Sequence, residues 1–299
     1  MVGVFSRAGR RRAACARMAP MPRFRMTIAY DGSAFHGWQK QDRPTAGGGR
    51  EPLRTVQGAV EDAVRSVVRQ AVQVQGASRT DAGVHAIAQT AAFTVSDPGG
   101  DERADREPVW RRLTADRLRL AINSRLPTDV ALTALAPTHD GFDPIGDCEE
   151  KGYRYTLHVG LDRPIFDRAF VHHVRTELDA ERMARAAAGF VGEHDFAAFA
   201  AAGHGRLTTV RRVTGCAVRR AGPTRVEIDV AGQGFLHHMV RIMAGTLVEV
   251  GRGRLTPDAV VRALASGDRR DAGPTLPACG LCLMWMRYRG ENPVLVDSP

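Results

Sequence analysis

Lysine is nearly absent: Lys40 and Lys151 are the only two in 299 residues. The positive charge therefore rests on arginine. Arginine suits phosphate and base-edge recognition, although codon bias in a GC-rich genome produces the same composition. Long apolar runs are absent too, and none approaches the roughly 18 residues a membrane span needs. That excludes a helical membrane protein. Cysteine is sparse, scattered and odd in number (Cys15, Cys148, Cys216, Cys279 and Cys282). A disulfide framework is excluded, and a reducing, cytoplasmic setting is expected. Cys279 and Cys282 form a CxxC, but no second pair completes a tetrahedral zinc set. The apolar run from there to Tyr288 reads instead as a buried strand. No dinucleotide-binding fingerprint and no H-E-x-x-H is present.

What the chain does contain is an ordinary globular composition, 43% hydrophobic and 25% charged. That is enough for one large or two medium domains. The net charge of +9 suggests nucleic acid, but seven arginines lie in residues 1–25 with no acid among them (Arg7, Arg10, Arg11, Arg12, Arg17, Arg23, Arg25). Subtracting them leaves +2 for the remainder. RNA binding must then rest on how charge is arranged. Residues 1–22 read as a basic, disordered extension, with a composition that an organelle transit peptide shares.

From Phe24 the apolar residues alternate, as in a strand, and Pro44 to Pro52 reads as a flexible glycine-bearing insertion. Thr55 caps a helix to about Gln70, whose apolar face is Val56, Ala59, Val60, Ala63, Val64 and Val67. Period-two runs flank residues 76–86. Residues 97–108 read as a loop, followed by a helix over 114–124 and a strand over 130–135. The order strand, helix, strand, strand, helix, strand is that of a ferredoxin-like unit. The second half repeats a mixed pattern, with strands near 153–159, 210–219, 225–231 and 280–288. Helices are expected over 180–191, 235–250 and 256–264. The expected architecture is α+β: an N-terminal half at 23–140, a C-terminal half at 141–290, a tail at 291–299, and a groove between the halves.

Four stretches carry candidate chemistry. Gly76–Ala86 places Arg79, Asp81 and His85 in a loop between strands. An aspartate there is often only a turn cap, and His85 reads equally as a satisfied, half-buried histidine. Arg79 two residues away, and Gly83, which allows close backbone approach, favour a site. In the second stretch, Phe235–Arg241, His237 and Arg241 share a helical face. Arg241 lies among apolar residues and needs an anionic partner, for which Asp81 is the candidate. Adjacent His237 and His238 on a helix point about 100° apart, so a metal site is set aside. A metallohydrolase using Asp195 with these histidines lacks ligand spacing. In the third, Tyr153 and Tyr155 share one strand face, as core or as a stacking platform for a base. The fourth, Tyr30–Gln41, includes Trp38 and Gln39 and reads as packing or RNA contact.

Together these stretches resemble the TruA family of tRNA pseudouridine synthases, over about residues 24–289. The motifs are Gly-x-x-Arg-Thr-Asp-Ala-Gly-Val-His through His85, Gly37-Trp38-Gln39-x-Gln41, Gly192-Glu193-x-Asp195-Phe196, and Phe235-x-His237-His238-Met239-Val240-Arg241. The resemblance implies two RNP-like halves around a central cleft. It implies isomerisation of uridine to pseudouridine at positions 38–40 of the tRNA anticodon stem-loop, with no cofactor or metal and in a homodimer. Asp81 would be the nucleophile, Arg241 its ion-pair partner, Arg79 a nucleotide-positioning residue and Tyr153 the stacking residue. Trp38, Gln39, His85 and His237 would be RNA contacts. The chain departs from the pattern at Ile145, where the family carries arginine, at Phe35 and His36 in place of tyrosines, and in the insertion at 44–52.

Overall fold

The computed structural model describes residues 22–45, 47–96, 108–201 and 208–291. Almost all of the expected extension, of the 97–108 loop and of the tail lies outside them.

In chain order the elements begin with β1 (Arg23–Tyr30), β2 (Asp42–Pro44), β3 (Arg50–Pro52), α1 (Val56–Val68), β4 (Gln75–Gly76) and β5 (His85–Thr94). Then come α2 (Val109–Arg112), α3 (Ala115–Asn123), β6 (Val130–Thr138), β7 (Cys148–Val159), β8 (His172–Val174) and α4 (Ala180–Ala187). The chain ends with β9 (Gly192–Asp195), β10 (Val210–Arg220), β11 (Arg225–Gly232), α5 (Met239–Gly251), α6 (Ala259–Ser266) and β12 (Leu281–Tyr288).

Local chemistry explains most boundaries. The side chains of Thr55, Thr114 and Asp179 each accept from a backbone N–H in the first turn of α1, α3 and α4. β1 buries every second residue: Phe24, Met26, Ile28 and Tyr30. Its partners are antiparallel β5 and β6.

Ten strands form one sheet in the order β6-β1-β5-β12-β7-β11-β10-β9, with β4 added to β5 and β8 to β7. Pairing is antiparallel except between β12 and β5 and between β7 and β8. The last strand thus lies between strands from the two parts of the sequence. α5 is buried nearly all round, as its apolar sequence requires. Its Gly245 is needed because a Cβ there would stand 1.8 Å from the carbonyl of Pro274. Segment 273–276 crosses α5 at that point, and Gly273 N–H donates to Thr246 Oγ1 (2.8 Å).

Four local expectations change. The 44–52 insertion contributes β3 and the end of β2, a short hairpin laced by the Arg43–Glu51 pair (3.1 Å). The alternating run before the loop pairs only at β4. α6 begins at Ala259 rather than after Thr256. The helix expected from Phe235 begins at Met239, because the chain before it is tied elsewhere: His237 O accepts from Ala201 N–H (3.1 Å).

Candidate active site

The loop between β4 and β5 is held from below by groups that satisfy its backbone. Trp38 N–H donates to Thr80 O (3.1 Å), and the hydroxyls of Tyr30 and Thr80 bond at 2.8 Å. Gln89, wholly buried, brackets Ser78. Its Nε2 donates to Ser78 O (2.6 Å) and its Oε1 accepts from Ser78 N–H (3.2 Å). Gly37 has φ +85°, and a Cβ there would meet Thr80 O at 2.6 Å. With the backbone fixed in this way, the Asp81 side chain is left to face a cleft of about 1400 Å³.

Arg241 comes to Asp81 from the first turn of α5. Its Nη1 donates to Asp81 Oδ2 at 3.1 Å, and its Nε donates to Leu276 O at 2.7 Å. The crossing segment over Gly245 thus orients the guanidinium. Arg241 is 14% exposed and Asp81 24%. The expected ion pair between residues 160 apart in sequence is therefore present, and it is made through Oδ2.

Both histidines converge on the same carboxylate. His237 Nε2 lies 3.4 Å from Oδ1, and His238 Nε2 lies 3.4 Å from Oδ2. The helical-wheel expectation that they diverge is corrected: they precede the helix. His238 adopts the left-handed region (φ 61°), and the two rings sit 3.8 Å apart. Burial holds the His238 imidazole below its ordinary pKa, aided by Arg241 and His237 and opposed by Asp81.

Tyr153, from β7, lines the cleft. Its hydroxyl bonds Ser78 Oγ at 2.9 Å, and its ring meets Phe235 edge-on at 5.4 Å. Burial pushes its phenol up to about 12, against the Ser78 bond, so it stays protonated at neutral pH. Tyr155, on the same face, is core; its hydroxyl donates to Pro277 O at 2.7 Å.

Arg79 is exposed at the cleft and makes no hydrogen bond or ion pair with the described residues. Gln39 and His237 also line the opening. Trp38 and His85 do not. At 1% and 3% exposure they are packing residues, which corrects the expectation that their side chains touch RNA. Trp38 lies against Gly76, and His85 receives the Gly32 N–H (3.0 Å). Ile145 lines the cleft and is 59% exposed, so the departure from arginine falls at its mouth.

Sequence reasoning set a metal role for His238 aside and gave no site role to Ser78, Gln89 or Phe235. Of those three, Gln89 left a signal, as a lone amide in an apolar alternating strand. Among the cleft residues, Arg23, Lys40, Arg79, Lys151, Arg211 and Arg241 face two acids, Glu61 and Asp81. Glu61 is already paired with Lys40 and Arg65. The cleft is thus strongly basic although the body of the chain is only mildly so.

A carboxylate held by an arginine in a basic cleft, beside an aromatic ring, can attack an electrophilic carbon of a polyanionic substrate. A model of the tRNA pseudouridine synthase family matches residues 26–142 and 186–289. The tRNA pseudouridine synthases A of Pelobacter propionicus and Moorella thermoacetica are each 41% identical over 268 residues, covering 90% of this chain and all of theirs. That of Solidesulfovibrio magneticus is 43% identical over 291 residues, covering 93% of this chain and 97% of its own. The chain belongs to the tRNA pseudouridine synthase family.

Proposed function

We propose that this protein isomerises uridine to pseudouridine in the anticodon stem-loop of tRNA, with Asp81 as nucleophile. One observation carries the reading: Asp81 lines a basic cleft with Oδ2 held 3.1 Å from Arg241 Nη1 and Oδ1 3.4 Å from His237 Nε2. The target nucleotide leaves its stack and enters the cleft. An Asp81 oxygen bonds to the ribose carbon as its bond to N1 of uracil breaks, the base turns, and C5 then bonds to that carbon as the Asp81 oxygen leaves. The proton on C5 is lost and N1 gains one, so no redox partner enters the balance. Tyr153 offers an aromatic surface to replace the lost stacking, and Arg79, unpaired within the described chain, is free to take a phosphate.

The residues before and after about position 140 are read as two RNP-like halves, joined where β12 pairs in parallel with β5. The protein is read as a cytoplasmic homodimer whose tRNA contacts both copies. The decisive experiment maps pseudouridine in tRNA incubated with wild-type protein and with Asp81→Asn. Wild type should modify the anticodon stem-loop, and the variant should bind tRNA without modifying it. Turnover by a clean Asp81→Asn preparation would remove Asp81 from the mechanism. Tight tRNA binding by wild type with every uridine unmodified would make the protein an RNA-binding module.

A further inference from the structure

The convergence of two imidazoles on Asp81 has a use beyond holding the carboxylate. We propose that Asp81, His237 and His238 form a three-ligand site for a divalent transition-metal ion of the zinc type, and that its occupation blocks the enzyme.

Ligand atoms from these three residues all lie within 4.8 Å of one another. Each histidine Nε2 is 3.4 Å from an Asp81 oxygen. Donors bound tetrahedrally at about 2.0–2.1 Å stand about 3.3–3.4 Å apart, so the carboxylate and either imidazole already have the spacing of a tetrahedron's edge. Two nitrogens and an oxygen select zinc, copper, nickel or cobalt over magnesium or calcium. The cleft leaves the fourth position open to water. The backbone supports the same reading. A non-glycine residue in the left-handed region is uncommon and strained. His238 takes that conformation (φ 61°) immediately before α5, and both rings thereby turn to one carboxylate. Arg241 opposes the ion: its Nη1 is 3.1 Å from the shared Oδ2. The site is therefore tempered, suited to reversible inhibition rather than to a resident metal.

Binding is read directly and so does not depend on the tRNA reading. Tag-free full-length protein is stripped with a chelator and titrated with Zn²⁺ by calorimetry and with Co²⁺ by its visible absorption. One equivalent should bind, with the intense bands of low-coordinate cobalt. His237→Ala, at a half-exposed position that folding tolerates, should weaken binding at least about tenfold. His237→Ala with His238→Gln should abolish the cobalt bands. Arg241→Gln should tighten binding, because a positive neighbour is removed; a change that merely loosened the site would weaken it. Zn²⁺ should stop pseudouridine formation, and chelator should restore it. Absence of binding in the micromolar range, equal binding by the double variant, or weaker binding by Arg241→Gln would overturn the assignment.

Discussion

Glu227 and Asp81 are both clasped by cations, yet they differ in what surrounds them. Glu227, on β11, is 3% exposed and pairs with Arg154 (3.4 Å), Arg219 and Arg225 (3.4 Å). These residues lie on neighbouring β7, β10 and β11 itself, on one face of the sheet. Asp81 is 24% exposed and meets Arg241, His237 and His238 across a cleft. Glu227 is enclosed by its arginines, and no substrate can reach it. Asp81 sits on a loop whose backbone is satisfied from beneath, so its side chain is free to react. Charge pairing alone does not mark a reactive carboxylate; access does.

The largest test of that contrast exchanges each acid for its amide. Asp81→Asn should lower pseudouridine formation by at least about 10³-fold, the scale of losing an attacking group, and leave the melting temperature close to wild type. Glu227→Gln should do the reverse. It leaves three arginines around a neutral group, which destabilises by about 1–3 kcal/mol and lowers the melting temperature by several degrees, with activity per folded molecule unchanged. Calorimetry and a turnover assay on both variants decide the matter. An active Asp81→Asn or an inactive but stable Glu227→Gln breaks the comparison.

Next in size is the arginine itself. Arg241→Lys keeps the charge but cannot bond both Asp81 and Leu276 O as the guanidinium does. Its kcat should fall by about 10²-fold, as when a preorganised contact to the reacting group is lost, while tRNA affinity changes little. Arg154→Lys, in the enclosed cluster, should leave kcat alone. A smaller effect is expected at the mouth. Ile145 is exposed at the cleft, at the position where the family resemblance led to an expected arginine. Ile145→Arg should tighten tRNA binding several-fold at low salt, steepening the salt dependence by about 0.7 per phosphate gained, with kcat unchanged.

The same contrast explains what the sequence could disclose. Helix starts at Thr55, Thr114 and Asp179 were legible because a cap is a contact between near neighbours. The Asp81–Arg241 pairing was legible in part: an arginine amid apolar residues demands an acid, and the family resemblance pointed to Asp81. The placement of β12 beside β5 was not, because parallel pairing between residues nearly 200 apart leaves no local pattern. Nor was the burial of Trp38, which depends on Gly76 leaving room for the indole. The histidine pair misled for a related reason. The apolar pattern runs on from Phe235 as if helical, but a tie to Ala201 and the left-handed His238 override it.

The smallest effect sharpens the comparison by pH. Only arginines pair with Glu227, and they keep their charge across the accessible range. Asp81 faces Arg241 together with two imidazoles, those of His237 and His238. Burial lowers the pKa of His238 from its ordinary 6.5. As pH falls through about 6.5 the unfolded chain therefore takes up a proton before the folded one. The stability this neutral imidazole contributes is present at higher pH and is lost as pH falls from 6.5 towards its folded value. Asparagine tolerates the left-handed backbone, so His238→Asn removes the titration without changing the turn. Chemical denaturation at pH 7.5 and 5.5 should show wild type losing more of its midpoint than His238→Asn does. Equal losses would mean that His238 carries the same proton affinity in both states. His238 would then add no more pH dependence to stability in this range than the arginines around Glu227 do, and the two clusters would differ in access alone.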